Sequence, residues 1–311
     1  MPNSSLFTEL DRAADALADP VLTIGNFDGV HRGHRAIFER TRELADRLGG
    51  EAVAVTFSPH PVRFFRPDAE PFRLTTDDQK FQLIRETGIE VVVAVDFDAH
   101  LANLSPEDFV SAVIDGGLGA QHVVVGDNFA FGKDRAGTTD DLREIAGRAG
   151  IGTTILDEIE IDGGVVSSTR IREALRDGRV NRAENLLGRN YRLLGRVESG
   201  DARGRELGYP TANIAASNLV PGDGIYATYL HTPDESDLPA ATSIGTRPTF
   251  EDGSRAVEAH AIDRDDLDLY GKSVELEFVE FLRPEREFDS ARELVEQMER
   301  DTSRARGLLR E

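Results

Sequence analysis

Residues 21–38, VLTIGNFDGVHRGHRAIF, restrict the fold of this chain more than any other stretch. Val21 to Ile24 is apolar and β-prone, which predicts a buried strand. Gly25, Gly29 and Gly33 then interrupt it. From about His34 a helical period begins, with Ile37, Phe38, Thr41, Leu44, Ala45 and Leu48 on one face. A strand, a glycine-rich turn and a helix N-terminus form an anion site, because backbone N–H groups and the positive end of the helix dipole converge there. His31 and His34 flank Gly33, whose missing side chain lets a phosphate approach the backbone. A lone histidine here would be a surface residue near a cap; two of them in this context point to a nucleotide. The pattern is not a P-loop, since G-x-x-x-x-G-K-[ST] is missing.

The rest of the first half alternates between helical and strand patterns. Helices are predicted over residues 6–18, 75–87 (Phe81 and Ile84 inward), 106–114 and 140–149, and strands over 52–57, 90–95, 122–125 and 151–156. Ser105 caps the 106–114 helix and Pro106 takes its first position. This alternation predicts a mostly parallel, Rossmann-like sheet with helices on both faces. The strand at 52–57 ends in Ser58-Pro59-His60-Pro61, expected to continue as neither helix nor central strand. Such a loop is where α/β sheets bind ligands, which makes Pro59 and His60 candidates. The loop from Gly126 to Gly137 carries Asn128, Phe129 and Phe131 and can hold a planar ligand. Ser167, Ser168 and Thr169 read as N-cap residues, with Arg170 and Arg172 in the first turn of a helix to about Arg176. Cations there oppose the helix dipole unless an anion is bound.

After a helical stretch over 177–188 the pattern changes to short β runs at 191–198, 225–231, 240–244, 256–262 and 273–281. This spacing predicts a small antiparallel barrel, followed by one helix over 290–309. The boundary is expected near residue 185, giving domains 1–185 and 186–311. Within Gly204-Arg-Glu-Leu-Gly-Tyr-Pro-Thr-Ala-Asn213, Thr211 and Asn213 would share a strand face and offer two oxygens to Mg²⁺. Gly271-Lys272-Ser273 is not a P-loop, because Asp266 stands at the first glycine position.

Composition excludes several classes. There are 57 Asp and Glu against 36 Lys and Arg, a net charge of −21, which disfavours nucleic acid and anionic membranes as partners. Lysine occurs only at Lys80, Lys133 and Lys272. An acidic, lysine-poor surface fits either a high-salt cytosol or a GC-rich genome. Without cysteine, disulfides and thiolate chemistry are excluded. No signal-peptide pattern or membrane-length apolar run is present, so a cytoplasmic protein is expected.

The motif G-x-F-D-G-x-H-x-G-H over residues 25–34 resembles that of bacterial FAD synthetases, within the H-x-G-H nucleotidylyltransferases. Thr56-Phe-Ser-Pro-His-Pro61, Gly126-Asp-Asn-Phe-Ala-Phe-Gly132 and Ser168-Thr169-x-x-Arg172 extend the likeness in the family's order, with Ser58 and Asn128 where many members have Asp. The resemblance implies that His31, His34 and Arg172 are catalytic and that Gly25, Asn26, Phe27, Asp28, Gly33, Ser168 and Thr169 bind ATP. Pro59, His60, Asn128 and Phe129 would then bind flavin. Gly204 to Asn213 resembles the G-R-x-L-G-x-P-T-A-N motif of riboflavin kinases, followed by Gly224-Ile-Tyr226, Ile244-Gly-Thr-Arg-Pro-Thr-Phe250, Val257-Glu-Ala-His260, Leu269-Tyr-Gly271 and Leu282-Arg283. Ser243 stands where Asn is common. This likeness implies that Gly204, Arg205, Gly208, Pro210, Thr211 and Asn213 bind ATP, that Thr211 and Asn213 hold Mg²⁺, and that Glu258 is the base. The expected fold is a Rossmann-like nucleotidylyltransferase domain followed by a β-barrel riboflavin kinase domain with a C-terminal helix. The expected activity makes FMN from riboflavin and ATP, then FAD and pyrophosphate from FMN and ATP, for delivery to apo-flavoproteins. A single surviving activity, a flavin-binding regulator and an adenylyltransferase for a nicotinamide or pantetheine phosphate are the alternatives.

Overall fold

The structure, a computed structural model of the chain, describes residues 5–67, 71–198, 209–246 and 255–309. The chain forms two compact units, one of residues 1–70 and 77–166, the other of 71–76 and 167–311.

In the first unit the elements run β1 (Ser5–Phe7), α1 (Leu10–Ala16), β2 (Val21–Ile24), α2 (Arg32–Leu48), β3 (Ala52–Ser58), α3 (Pro61–Phe65), α4 (Asp77–Arg85), β4 (Val91–Asp96), α5 (Ala99–Ala102) and α6 (Pro106–Phe109). A π-helical turn (Val110–Asp115) extends α6, and β5 (His122–Gly126), α7 (Thr139–Arg148), β6 (Gly152–Leu156) and the hairpin β7 (Glu160–Ile161)–β8 (Gly164–Val165) follow. The sheet has the order β1-β4-β3-β2-β5-β6 with every pairing parallel. Alternate strand residues serve two cores. Leu22, Ile24, Val53, Val55, Val93, Val95, Val123 and Val125 face one, and Ala54, Val92 and Ala94 the other. Burial of both faces explains why these strands are nearly continuous apolar runs. The chain leaves β2 toward β3 and later returns to its other side at β5. Their C-terminal ends therefore meet at the point where α/β sheets bind ligands.

Two details differ from the sequence reading. The helix expected over 6–18 begins only at Leu10, because residues Ser5–Phe7 pair with Val91–Val93 as an edge strand. The proline-fixed loop does turn into a helix: Pro61 takes the first position of α3, where no N–H is needed, and the His60 side chain accepts from Val62 N.

The second unit contains α8 (Ser168–Arg176), α9 (Val180–Leu187), β9 (Tyr191–Glu198), β10 (Ala212–Ala216), β11 (Gly224–His231), β12 (Leu238–Thr246), β13 (Arg255–Ala261), β14 (Ser273–Arg283) and α10 (Ala291–Leu309). The strands close into a barrel of order β10-β13-β12-β11-β14-β9, all antiparallel. β10, which holds Asn213, adds a sixth strand to the five β runs expected at 191–198, 225–231, 240–244, 256–262 and 273–281. Tyr226, Leu230, Ile244, Val257, Leu276 and Phe278 are buried in the barrel. The Thr228 and Thr242 hydroxyls satisfy each other there at 2.7 Å. On the outer face, Ala305 and Leu309 of α10 pack with Ala227, Ile225 and Tyr229. Residues 71–76 join this unit through Asn218, which is fully buried. Its Nδ2 donates to Leu74 O (3.0 Å), its Oδ1 accepts from Leu194 N (2.9 Å), and Leu219 N donates to Arg73 O (2.8 Å).

A polar cluster lies on β9, β11 and β14. Hydrogen bonds from His231, Asn190 and Arg192 hold the Glu277 carboxyl down to about 2. His231 Nδ1 accepts from Asp237 N, so its proton lies on Nε2, facing Glu277 Oε2 at 3.3 Å. A carboxyl depressed in the folded state stabilises above its unfolded value and loses that stabilisation as pH falls through the folded one. Glu277→Gln should therefore cost about 2 kcal/mol at pH 7. In urea titrations the gap between native and variant should shrink as pH falls from 4.5 toward 2.

Candidate active sites

The turn after β2 is strained. Phe27 (φ 50°) and Val30 (φ 42°) both take left-handed backbone, which is costly for a β-branched residue. Burial holds them there, since Phe27 is 2% exposed and Val30 fully buried. The Phe27 ring packs on Phe38 (centroids 4.7 Å) and meets His34 edge-on (5.3 Å). A Cβ on Gly25 would lie 2.9 Å from that ring, so glycine is required for the close approach.

His31 is the N-cap of α2, and its Nδ1 accepts from His34 N at 3.3 Å. The ring's proton is therefore on Nε2, a donor at the positive end of a helix of 17 residues. His31 and His34 stack at 3.5 Å with an 18° interplanar angle. Gly33 makes room for this: a Cβ there would sit 3.2 Å from the His31 ring. Asp28 is buried beside them in the turn.

Two further loops border these strand ends within the same unit. Thr56 of β3 donates to Asn26 O at 3.3 Å. His60 is buried, and Phe57, Phe64, Phe65 and Phe97 form an aromatic cluster next to it. Phe65 is 65% exposed, a flat apolar face toward solvent. After β5, Asn128 Nδ2 donates to Glu158 Oε1 (2.9 Å), and Phe129 stacks on buried Phe131 (5.4 Å, 16°). A Cβ on Gly126 would lie 3.4 Å from Ile37 Cδ1 and 3.7 Å from Asn128 Oδ1, so Asn128 stands beside α2. The structure thus gathers Gly25, Asn26, Phe27, Asp28, His31, Gly33, His34, Pro59, His60, Asn128 and Phe129 at one end of the sheet. Phe57 enters the sequence reading only as part of the 52–57 strand and the Thr56–Pro61 motif; Phe97 escapes it because it comes from a distant segment, and Phe64-Phe65, although beside the proline loop, are passed over.

Ser168, Thr169 and Arg172 belong to the second unit. Only Ser167 is the N-cap of α8, accepting from Arg170 N at 3.3 Å. Ser168 and Thr169 are the first two helical residues, and Arg172 lies in the second turn rather than the first. Its Nε donates to Phe72 O (2.9 Å) and its guanidinium lies over the Phe72 ring (5.7 Å).

On the barrel, Gly204, Arg205 and Gly208 lie outside the described residues, as does part of the Ile244–Phe250 motif. The strand register brings the remaining candidates together. Asn213 pairs with Glu258 across β10–β13, and Ser243 pairs with Glu258 across β12–β13. Directly paired residues stand about 5 Å apart on one face. Val257, Ala259 and Ala261 point into the barrel, so Glu258 and His260 point out. His260 Nδ1 lies 2.9 Å from Pro210 O, which can only accept, so Nδ1 carries the proton. Tyr209, Pro210, His260, Asp263, Glu299 and Arg306 line a cavity of about 680 Å³ between the barrel and α10. Thr211 and Asn213 are oxygen donors, the type Mg²⁺ prefers when its remaining positions go to phosphate and water. The donor set therefore fits that ion.

Helix α10 is held on the barrel by a bidentate pair. Arg283 Nη2 and Nε reach Asp301 at 2.7 and 3.0 Å, with side chains 18% and 10% exposed. Gln297 also donates to Asp301 (2.8 Å), and Arg304 donates to Leu282 O (2.7 Å). Asp301→Ala would strand the Arg283 guanidinium and should destabilise this unit by about 3 kcal/mol. Calorimetry should show one of two transitions moving down.

The sequence matches the FAD synthetase family over residues 14–170 and the riboflavin kinase family over residues 187–309. A protein of Pseudomonas fluorescens named bifunctional riboflavin kinase/FMN adenylyltransferase is 40% identical over 290 residues, 93% of this chain and 92% of that one. Proteins of the same name from Escherichia coli K12 (38%, 92% and 91% covered) and Bacillus subtilis (35%, 93% and 92% covered) are similar too. A crystal structure from Streptococcus pneumoniae superposes with a TM-score of 0.84 at 27% identity, covering 98% of this chain and 99% of that one. That protein is named a macrolide-efflux protein; in this chain no helix among the described residues is long and apolar enough to cross a membrane. With one family matched on each side of residue 180 and relatives of a single name matched over 91–92% of their length, the chain belongs to the bifunctional riboflavin kinase/FMN adenylyltransferase family.

Proposed function

We propose that the chain phosphorylates riboflavin to FMN with ATP on its barrel and adenylylates FMN to FAD, releasing pyrophosphate, in its α/β half. We assign the second step to residues 1–185 and the first to 186–311. The observation that carries this reading is the stacked His31–His34 pair at the N-terminus of α2, at the sheet's switch point.

In the adenylyl transfer an FMN phosphate oxygen attacks the α-phosphorus of ATP and pyrophosphate leaves. Charge builds on the α-phosphate oxygens. His31 Nε2–H, His34 and the first turn of α2 present donors and positive potential to it without reorganisation. Asn26, Asp28 and the glycines shape the turn around the nucleotide. Pro59, His60, Asn128 and Phe129 serve the flavin. Ser168, Thr169 and Arg172 are retained for the ATP phosphates on their motif.

In the kinase step Glu258 accepts the proton of the riboflavin 5′-hydroxyl as that oxygen attacks the γ-phosphorus and ADP leaves. Thr211 and Asn213 would hold Mg²⁺, which when bound neutralises phosphate charge. Pro210, Gly204, Arg205 and Gly208 belong to the same nucleotide loop. The reading places the enzyme in the cytoplasm, where ATP is available, with apo-flavoproteins receiving the product.

Variants test the division. With riboflavin and Mg-ATP, the native protein should give FMN and then FAD on chromatography. His31→Ala/His34→Ala should slow FAD formation by at least ~10²-fold and leave FMN accumulating. Glu258→Gln should slow FMN formation by ~10²-fold or more, yet still convert supplied FMN to FAD. If either variant stopped both steps in a folded protein, the assignment of one step to each half would be wrong.

A further inference from the structure

Lys80 is a buried charge that neither proposed reaction uses. It lies in α4, 3% exposed. Its Nζ is 3.1 Å from Thr56 Oγ1, 3.4 Å from Phe57 O and 3.4 Å from Asp77 Oδ1. These acceptors are protein atoms and the Lys80 side chain is 4% exposed, although that of Asp77 is 30% exposed, so the ammonium points into the protein. A buried cation is tolerated when it is paired and hydrogen-bonded, and its partners show what it organises.

Two of those partners lead to the adenylyltransferase site. An ammonium only donates, so Thr56 Oγ1 must accept from it. That commits the single hydroxyl proton of Thr56 to its other neighbour, Asn26 O, at 3.3 Å. The relay Lys80–Thr56–Asn26 ends on the backbone of the strained turn, one residue before Phe27. The second relay runs through Asp77, which accepts from Ser58 Oγ at 3.1 Å. It ends on the loop that carries Pro59 and His60. One ammonium thus joins the phosphate-facing turn after β2 to the flavin-facing loop after β3, from a helix that supplies no residue to either.

We propose that Lys80 is a positioning residue for adenylyl transfer, fixing the turn at Asn26 relative to the loop at Ser58–His60 so that the two reactants meet in line. The proposal rests on the adenylyltransferase reading of this half. An offset of about 1 Å between reacting groups can cost ~10²-fold in rate while each group still binds. Loss of Lys80 therefore acts on kcat more than on KM.

The test uses the full chain with Lys80→Met, which keeps the apolar stem, and Thr56→Val, which keeps the shape and removes the relay hydroxyl. For FMN adenylylation each variant should lose at least ~10-fold in kcat, with KM for ATP and FMN within about threefold of native. The double variant should be no more than about twofold slower than the slower single one, because both remove the same relay. Riboflavin phosphorylation, on the other unit, should stay within twofold. Hydrogen exchange should speed up at amides 25–31 in both variants and not in the barrel. Native-like kcat in a folded Lys80→Met or Thr56→Val, multiplicative losses in the double variant, or unchanged exchange at residues 25–31 would each overturn the proposal. If Lys80→Met fails to fold, Thr56→Val alone decides it. If the native chain makes no FAD, the adenylyltransferase reading fails by itself, and the exchange measurement still decides whether Lys80 orders the turn.

Discussion

The packing of one phenylalanine ring holds the nucleotide turn in shape. Phe27 has left-handed backbone, a conformation its side chain disfavours, and its ring is clamped between Phe38 and His34. Burying that ring stabilises the turn by roughly 2 kcal/mol, comparable to the strain of one or two such residues. The clamp fixes where α2 begins. That sets His31 as N-cap, and the cap bond to His34 N sets which imidazole nitrogen carries the proton. A hydrophobic contact thereby determines the protonation pattern offered to a phosphate. The parallel strands beneath supply the rigid base, with Val21, Leu22 and Thr23 fully buried between β3 and β5.

The barrel solves a different problem with strand register. Its interior is filled by side chains, so chemistry has to sit on the outer face. The two-residue period puts Val257, Ala259 and Ala261 inside and leaves Glu258 and His260 outside. Register then brings Asn213 and Ser243 to either side of Glu258. A slip of one residue would turn Glu258 into the core. Helix α10 walls the outer cavity, and the Arg283–Asp301 pair holds that wall in place.

Much of this was legible in the sequence because the signals are local. The β2–turn–α2 segment carries its glycines and histidines within residues 21–38, and its apolar period runs on to Leu48. The parallel sheet followed from alternating strand and helix patterns, and the barrel from short β runs, although β10, with its small residues Ala-Asn-Ile-Ala-Ala, was expected only through the shared face of Thr211 and Asn213. What was not legible depends on contacts distant in sequence. Residues 71–76 join the barrel's unit through Asn218, some 144 residues from Leu74, and no periodicity reports such a bond. The edge strand at Ser5–Phe7 exists only because β4 offers it a partner. Lys80 sits next to Phe81 on α4 and, read as a helical wheel, is an ordinary polar neighbour. Its rarity in an arginine-rich chain was the signal available.

Tracing the phosphates of ATP measures most directly whether one chain runs two different transfers at two sites. Riboflavin would be incubated with the native protein and ATP labelled at either the α- or the γ-phosphate. Two sites acting in series put the γ-label into FMN and into the flavin-side phosphate of FAD. They put the α-label only into the adenylyl phosphate of FAD. Finding α-label in FMN, or no γ-label in it, would contradict a kinase barrel feeding an adenylyltransferase.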